Sequence, residues 1–221
     1  MATNVILSGG LAHDFPATSR ALAEVLTEAG VRSRITDDIA GSLSADPRPD
    51  LITVNALRCH DDGGWARSQG AVPFSLPGAA RAAVLAHLDR GGGVLAVHAA
   101  SICFDDWPAW RGLLGAAWVW GSSYHPPLGP AEIKIHDEHP IVEGLDDFEL
   151  IDEIYSDLDV SPEVRPLASS LGRPLVWARE VRGGRLVYDA LGHDARSYEN
   201  PVHRTLLRRA AHWLLGDLSR S

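Results

Sequence analysis

Residues 91–100 have the sequence GGGVLAVHAA, and this stretch is the most informative part of the chain. The three glycines end a predicted helix, Val94–Val97 form an apolar strand, and His98 stands where that strand ends. This order predicts a buried strand followed by a sharp turn, the arrangement that presents the nucleophile in hydrolase elbows. Because the position holds a histidine, we expect His98 to act as a general base or as a metal ligand.

The segments on either side of this stretch alternate between strand and helix patterns. The predicted strands are residues 4–8, 31–36, 50–55, 94–97, 131–135, 148–155, 174–179 and 185–191. A helical pattern from Pro16 to Ala29 joins the first two strands and makes a βαβ unit, which is typical of parallel sheets. We therefore predict an α/β fold with a mainly parallel sheet, in which strands 4–8, 50–54 and 94–97 are central and adjacent.

Length, composition and charge narrow the class of protein. The 221 residues are 45% hydrophobic, and no change in composition marks a linker, so we expect one domain over residues 1–221. The net charge of −9 argues against binding to nucleic acid or to an anionic membrane. The chain has no run of eighteen apolar residues and no basic leader, which predicts a cytoplasmic bacterial protein without a signal peptide. Whether the protein forms a homo-oligomer is left open by the sequence.

Three histidines each follow a predicted strand, namely His13, His98 and His193. Ligands of open parallel sheets bind at the carboxyl ends of the strands, so we expect these three rings to share one crevice. Glu153 is the best candidate for a carboxylate that orients His193. We predict catalytic roles for His98, His193 and Glu153, and substrate contact for His13.

The same three histidines are the candidate metal ligands, with Zn²⁺ or a similar divalent ion as the expected species. The chain lacks the cysteine-rich and His-x-x-x-His signatures of preformed zinc sites, which favours the absence of a tight structural metal. Both alternatives stay open at this point. The motif Gly-x-Gly-x-x-Gly does not follow the first strand, so we expect no nucleotide cofactor.

Three further residues are predicted to contact substrate. His125 follows a flexible polar loop, Asn55 ends the third predicted strand, and Trp107 belongs to a group of aromatic residues between Phe104 and Trp120. Most of that group is expected in the core, with one or two rings at the edge of the pocket.

Cys103 is predicted to be an inert buried thiol, because it lies five residues beyond His98 and has no Gly-x-Cys-x-Gly context.

The chain resembles the ThuA-like, or trehalose-utilisation, family in five segments that occur in the family's order. These are LSGG with His13-Asp-Phe, the stretch at 91–100, HPIVEGL from His139, Asp152-Glu-Ile-Tyr, and Leu191-Gly-His. The resemblance implies a flavodoxin-like three-layer sandwich of the class I glutamine amidotransferase-like superfamily. It also implies a role in bacterial metabolism of trehalose and oxidised (3-keto) disaccharides. The positions that match the family's motifs are His13, His98, Glu153 and His193.

One position separates the chain from true amidotransferases, because His98 stands where their cysteine would be expected. We therefore do not expect cysteine-dependent hydrolysis of glutamine. Two functions remain. The first is a hydrolase, lyase or isomerase of sugar metabolism that uses histidine acid/base or metal-assisted chemistry on a small carbohydrate. The second is a non-catalytic module that binds a sugar or a partner protein.

Overall fold

Strands and helices alternate along the chain. The computed structural model describes residues 1–43, 47–60, 64–70, 72–136 and 138–217. The strands are β1 (Ala2–Gly10), β2 (Val31–Thr36), β3 (Leu51–Leu57), β4 (Gly93–Val97), β5 (Ala116–Ala117), β6 (Gly129–Ile135), β7 (Phe148–Asp152), β8 (Asp159–Val160), β9 (Pro166–Ser170), β10 (Arg173–Val181) and β11 (Gly184–Asp189). The helices are α1 (Phe15–Glu28), α2 (Ile39–Leu43), α3 (Trp65–Ser68), α4 (Gly78–Asp89), α5 (Pro108–Leu114) and α6 (Pro201–Leu214). Two short 3₁₀ helices cover His98–Ser101 and Ala195–Glu199.

Among the described residues, nine strands form one mixed sheet in the order β2-β1-β3-β4-β11-β10-β9-β6-β7. The five strands from β2 to β11 are mutually parallel, and the other four extend the sheet with antiparallel pairs. As predicted, β1, β3 and β4 are adjacent. Strands β10 and β11 form an antiparallel hairpin whose turn is Arg182-Gly183.

Helices cover both faces of the parallel half. The crossover from β1 to β2 runs in the opposite direction along the sheet from the crossover between β3 and β4. Because such crossovers are right-handed, α1 and α4 lie on opposite faces. Helix α6 packs with α1, and α2 packs with α4. The result is the three-layer, flavodoxin-like α/β arrangement that the sequence predicts.

Local sequence explains where these elements begin and why they are buried. All seven residues of β3 are buried, as expected of a central parallel strand that is covered on both faces. Helix α1 starts after Asp14, whose side chain accepts a hydrogen bond from the Ala17 N–H. Helix α6 starts after Asn200, which caps two N–H groups and precedes a proline in the first turn.

The turn-rich segment 56–76, which the sequence assigns to a loop, contains the short helix α3, while Gly63 lies outside the described residues. Helices α2 and α5 and strands β5, β8 and β9 have no counterpart among the predicted elements. Among the described residues, no helix is long and apolar enough to cross a membrane. The expectation of one domain over residues 1–221 stays a prediction.

Candidate functional site

A strained turn presents His98 at the end of β4. The backbone of His98 has a φ of +45°, a left-handed conformation that residues other than glycine adopt rarely. The Tyr188 hydroxyl holds this turn by donating a 2.9 Å hydrogen bond to the His98 carbonyl oxygen, and it lies 3.0 Å from Ser101 Oγ. The His98 side chain is buried, and its Nδ1 lies 2.7 Å from the Ala190 carbonyl oxygen. The sharp turn predicted from residues 91–100 is therefore present.

The three histidines that follow parallel strands lie together. The His13 ring centroid is 5.0 Å from that of His98 and 4.7 Å from that of His193, and the last two are 5.5 Å apart. His13 follows β1, His98 follows β4, and His193 follows β11, so one edge of the sheet supplies all three. The convergence predicted from the strand ends is observed, whereas the chemical role of each ring remains a prediction.

Glu153 reaches this cluster from β7, at the far end of the sheet order. Its Oε2 lies 2.9 Å from His193 Nδ1, and its Oε1 lies 3.4 Å from His125 Nδ1. The neighbouring carboxylate of Asp152 accepts hydrogen bonds from the backbone N–H groups of Gly192 and His193. These bonds bring the end of β7 beside the loop that follows β11.

Burial and mutual contact set the protonation of the cluster. Burial lowers the pKa of His98 well below its usual value, and the nearby His13 lowers it further. Burial also lowers the pKa of His13. Contact with Glu153 raises the pKa of His193 against the opposing effect of burial. Burial disfavours ionisation of Glu153, but contact with His193 outweighs it and lowers the pKa of Glu153. At neutral pH the site therefore combines neutral imidazoles at His13 and His98 with an ionised carboxylate.

The spacing of these side chains suits a metal ion. His13, His98, Glu153 and His193 each offer one ligating atom, and the four atoms lie within 4.8 Å of one another. Nitrogen and carboxylate ligands of this kind are those that Zn²⁺ uses in enzymes.

A cavity of about 360 Å³ opens above the cluster. His13, Glu153, His193 and His125 contribute its polar surface, and aromatic rings supply much of the remaining wall. The Trp118 ring lies 5.0 Å from Tyr155, and Tyr155 lies 4.2 Å from His98, measured between centroids. The cavity has the size and the mixed lining of small-molecule sites. Its lining residues are Ala12, His13, Leu57, Trp65, Ile102, Trp118, Trp120, His125, Glu153, Tyr155 and His193.

Two residues expected to bind substrate do not line this cavity, which corrects their placement. Asn55 is buried under α1, and its side-chain amide donates hydrogen bonds to Thr18 Oγ1 and Ser19 Oγ. Trp107 is buried against Trp110, at 6.3 Å between ring centroids. Both side chains are occupied by packing or by hydrogen bonds within the fold, so they are not available to a ligand in this cavity.

Most of the aromatic wall was not predicted from the sequence. The sequence predicts one or two rings of the group between Phe104 and Trp120 at the pocket edge and singles out Trp107, whereas Trp118 and Trp120 line the cavity. Tyr155 directly follows the predicted Asp-Glu-Ile segment, and that adjacency is a signal that could have identified it. Trp65 lies in the segment interpreted as a loop, and no local pattern marked it.

Cys103 lies outside the cavity and is buried. Its thiol donates a 2.8 Å hydrogen bond to the Ala56 carbonyl oxygen, and burial raises its pKa to about 12. A thiol in this state has almost no thiolate at neutral pH, which agrees with the prediction of an inert cysteine.

Fold and site together define a class: α/β proteins with a histidine–carboxylate cluster at the carboxyl edge of a parallel sheet, the edge where ligands of such sheets bind. Within this class, the chain belongs to the ThuA family, described as trehalose utilisation, whose model matches residues 5–214. Membership confirms the resemblance found in the sequence motifs and supports a carbohydrate-related role. No curated protein matches the chain.

Solved structures share the fold. A ThuA-like protein from Parabacteroides merdae superposes with a TM-score of 0.79 at 19% identity, covering 100% of this chain and 92% of its own. A cytoplasmic protein from Salmonella typhimurium LT2 gives a TM-score of 0.68 at 13% identity, covering 97% of this chain and 99% of its own. A β-galactosidase from Rahnella sp. R3 gives 0.63 at 14% identity, and the match covers 96% of this chain but 31% of the β-galactosidase. At these identities the likeness establishes the fold.

Proposed function

We propose that the chain is an enzyme of carbohydrate metabolism that acts on a sugar or an oxidised (3-keto) disaccharide, such as a trehalose derivative. The observation that carries this proposal is the placement of the His13–His98–His193–Glu153 cluster beneath a cavity walled by aromatic rings. The family supplies the carbohydrate class, and the cluster supplies groups that can do chemistry.

The walls of the cavity suit a sugar. Pyranose rings present C–H faces that pack on indole rings and hydroxyl groups that need hydrogen-bond partners. Trp118 and Trp120 offer such faces, with their ring centroids 6.0 Å apart. The buried indole N–H of Trp118 has no hydrogen-bond partner within the protein, so a ligand hydroxyl could accept from it.

The floor of the cavity suits chemistry at a hydroxyl or a carbonyl group. A neutral imidazole can accept a proton, and the Glu153 carboxylate beside His193 stabilises the positive charge when that ring is protonated. A divalent ion held by the same side chains would polarise a carbonyl oxygen or acidify a hydroxyl group. Hydrolysis, elimination and isomerisation next to a sugar carbonyl all need one of these actions.

The test is turnover of a defined sugar panel by the purified protein, with products followed by NMR. The panel contains trehalose, 3-ketotrehalose and the monosaccharides of which they are made, glucose and 3-ketoglucose. We expect wild type to convert at least one of these compounds and His98→Asn to lose activity by about 10²-fold or more. Asparagine is chosen because it tolerates the positive φ of this turn.

The matched control is His136→Asn. His136 is exposed on the surface, and its Nε2 lies 2.8 Å from Ser169 Oγ. This variant should keep wild-type turnover, and circular dichroism should show both variants folded. Binding of a panel sugar without any conversion would contradict the enzyme proposal and support the non-catalytic binding module instead.

A further inference from the structure

Three buried ring nitrogens of the cluster have no hydrogen-bond partner. They are His13 Nε2, His98 Nε2 and His193 Nδ1. A buried polar atom left without a partner costs about 1–3 kcal/mol, so such atoms are normally paired with solvent or a ligand. Here three such atoms belong to rings whose centroids lie within 5.5 Å of each other. Their convergence indicates that something outside the polypeptide satisfies them together.

The partners of the other ring nitrogens fix which atom is free in two of the rings. His98 Nδ1 lies 2.7 Å from the Ala190 carbonyl oxygen, and His13 Nδ1 lies 3.1 Å from the Leu11 carbonyl oxygen. A carbonyl can only accept, so each Nδ1 carries the hydrogen and donates it. In the neutral rings, each Nε2 then presents a lone pair. Metal-binding histidines have this arrangement, with the second nitrogen donating to a backbone carbonyl.

The contact between His193 and Glu153 also indicates that a metal ion lies between these side chains. Nδ1 and Oε2 are 2.9 Å apart, yet Nδ1 is among the buried ring nitrogens without a well-formed hydrogen bond. Two atoms at this distance without a shared hydrogen repel each other unless a cation lies beside both. Ligating atoms in one coordination shell come about 3 Å apart when each lies roughly 2.0–2.2 Å from the ion.

From these contacts we infer that His13 Nε2, His98 Nε2, His193 Nδ1 and one oxygen of Glu153 bind a single divalent transition-metal ion of the Zn²⁺ type. The donor set decides the class of ion, since three imidazoles with one carboxylate suit Zn²⁺ and its neighbours, whereas Mg²⁺ and Ca²⁺ prefer oxygen. The inference deepens the proposed function by assigning the metal-assisted alternative.

The charge and position of the cluster fit an ion that does chemistry. Three neutral imidazoles and one carboxylate supply one negative charge, so a divalent ion would keep a net positive charge. His13, Glu153 and His193 line the cavity, while His98 lies buried beneath them. A substrate oxygen that enters the cavity therefore approaches the ligand set from its open side.

The experiment is metal binding by protein freed of metal with a chelator, so it needs no substrate. Zn²⁺ is titrated by calorimetry, and Co²⁺ is titrated as a spectroscopic probe whose visible absorption reports nitrogen and oxygen coordination. We expect one equivalent of each ion to bind. We also expect a higher melting temperature with Zn²⁺, because a ligand that binds only the native state stabilises it.

Substitutions identify the ligands. His98→Asn, His193→Asn and Glu153→Gln should each weaken Zn²⁺ binding by about 10²-fold or more and change the Co²⁺ spectrum, since ligand loss exceeds the 10–100-fold effect of outer contacts. His13→Gln serves as a further variant if His98→Asn does not fold. The control is His136→Asn, whose ring contacts Ser169 and not the cluster. It should bind Zn²⁺ within about threefold of wild type.

Failure of this inference is distinguishable from failure of the proposed function. No stoichiometric Zn²⁺ or Co²⁺ binding, or wild-type binding by the His98, His193 or Glu153 variant, would overturn the metal assignment. Turnover of a panel sugar by metal-free protein would overturn it as well and would leave the enzyme proposal intact. Tight Zn²⁺ binding without conversion of any sugar would support the metal centre and contradict the enzyme.

Discussion

The carboxylate of Asp152 accepts a 3.1 Å hydrogen bond from the backbone N–H of His193, two residues that are 41 positions apart in the chain. The same carboxylate accepts from the N–H groups of Gly192 at 2.8 Å and of Glu153 at 2.8 Å. Asp152 therefore fixes both members of the Glu153–His193 contact through their main chains. It positions the site without facing the cavity.

Asp152→Asn should destabilise the protein by about 1–3 kcal/mol, because both carboxylate oxygens of Asp152 accept N–H bonds and an amide keeps only one acceptor. We also expect weaker Zn²⁺ binding, by about tenfold, since the ligand pair would lose its support. Chemical denaturation and calorimetry measure the two effects. Asp194→Asn is the control, because this half-buried cap keeps an acceptor oxygen for the Arg196 N–H. Equal effects of the two changes would refute this role for Asp152.

Gly192 allows the chain to turn directly before His193. Its φ is +107°, and an added Cβ would lie 2.5 Å from the Tyr198 hydroxyl. Gly192→Ala should therefore destabilise by more than the roughly 1–3 kcal/mol of backbone strain. Gly172→Ala separates the two causes, because Gly172 has a φ of +75° and open space around it. Thermal unfolding should rank wild type above Gly172→Ala and Gly172→Ala above Gly192→Ala, and the reverse order of the variants would contradict the steric argument.

Tyr188 holds the strained His98 turn by a hydrogen bond to its carbonyl oxygen. Tyr188→Phe should cost about 1–3 kcal/mol, because the buried carbonyl loses its 2.9 Å donor. Tyr124→Phe, at an exposed tyrosine, should change the free energy of unfolding by less than about 0.5 kcal/mol. Urea denaturation compares the two variants. A Tyr188→Phe protein as stable as wild type would show that the turn does not depend on this bond.

Cys103 should resist alkylation in the native protein. Burial raises its pKa to about 12, so iodoacetamide meets almost no thiolate at neutral pH. Peptide mass spectrometry should find Cys103 unmodified after native treatment and modified after treatment in denaturant, which serves as the control. Rapid alkylation of Cys103 in the folded protein, together with loss of activity, would contradict this prediction and indicate that Cys103 is a nucleophile.

His203 and Asp189 form a fully buried pair, with His203 Nε2 2.8 Å from Asp189 Oδ2. Burial opposes protonation of His203, but the charge of Asp189 and its hydrogen bond outweigh it and raise the pKa of His203. A histidine whose folded pKa is raised adds stability that is fully present below its unfolded pKa of about 6.5 and is lost as pH rises through the folded value.

Wild type should therefore have a higher free energy of unfolding than His203→Gln, and the difference should be larger at about pH 5.5 than at about pH 9. Urea denaturation at the two pH values measures this difference. Glutamine is the matched variant, because its neutral amide can still donate to Asp189. His203→Ala should cost about 3–5 kcal/mol, since it leaves a buried carboxylate without its partner. A pH-independent difference between wild type and His203→Gln would mean that His203 stays neutral in the folded protein.

Much of the parallel half of the fold was predictable from local sequence. Its signals act within a few residues and can therefore be recognised without knowledge of the fold. They are the apolar run in β3, the glycines before β4 and the caps of α1 and α6. The positions of His13, His98 and His193 within a few residues of the ends of three strands followed from the same patterns. Parallel strands that share an edge then bring these rings together.

Only the tertiary structure decided how Glu153 joins the histidines and which aromatic rings line the cavity. Strand β7 lies four places from β11 in the sheet, and the hydrogen bonds of Asp152 place the end of β7 beside the loop at 192–193. Likewise Trp107 and Asn55 are buried by packing partners far away in sequence, while Trp118 and Trp120 line the cavity. Strand order and side-chain burial arise from long-range pairing and close packing, whereas the periodicity of a segment reports only which of its own faces is apolar.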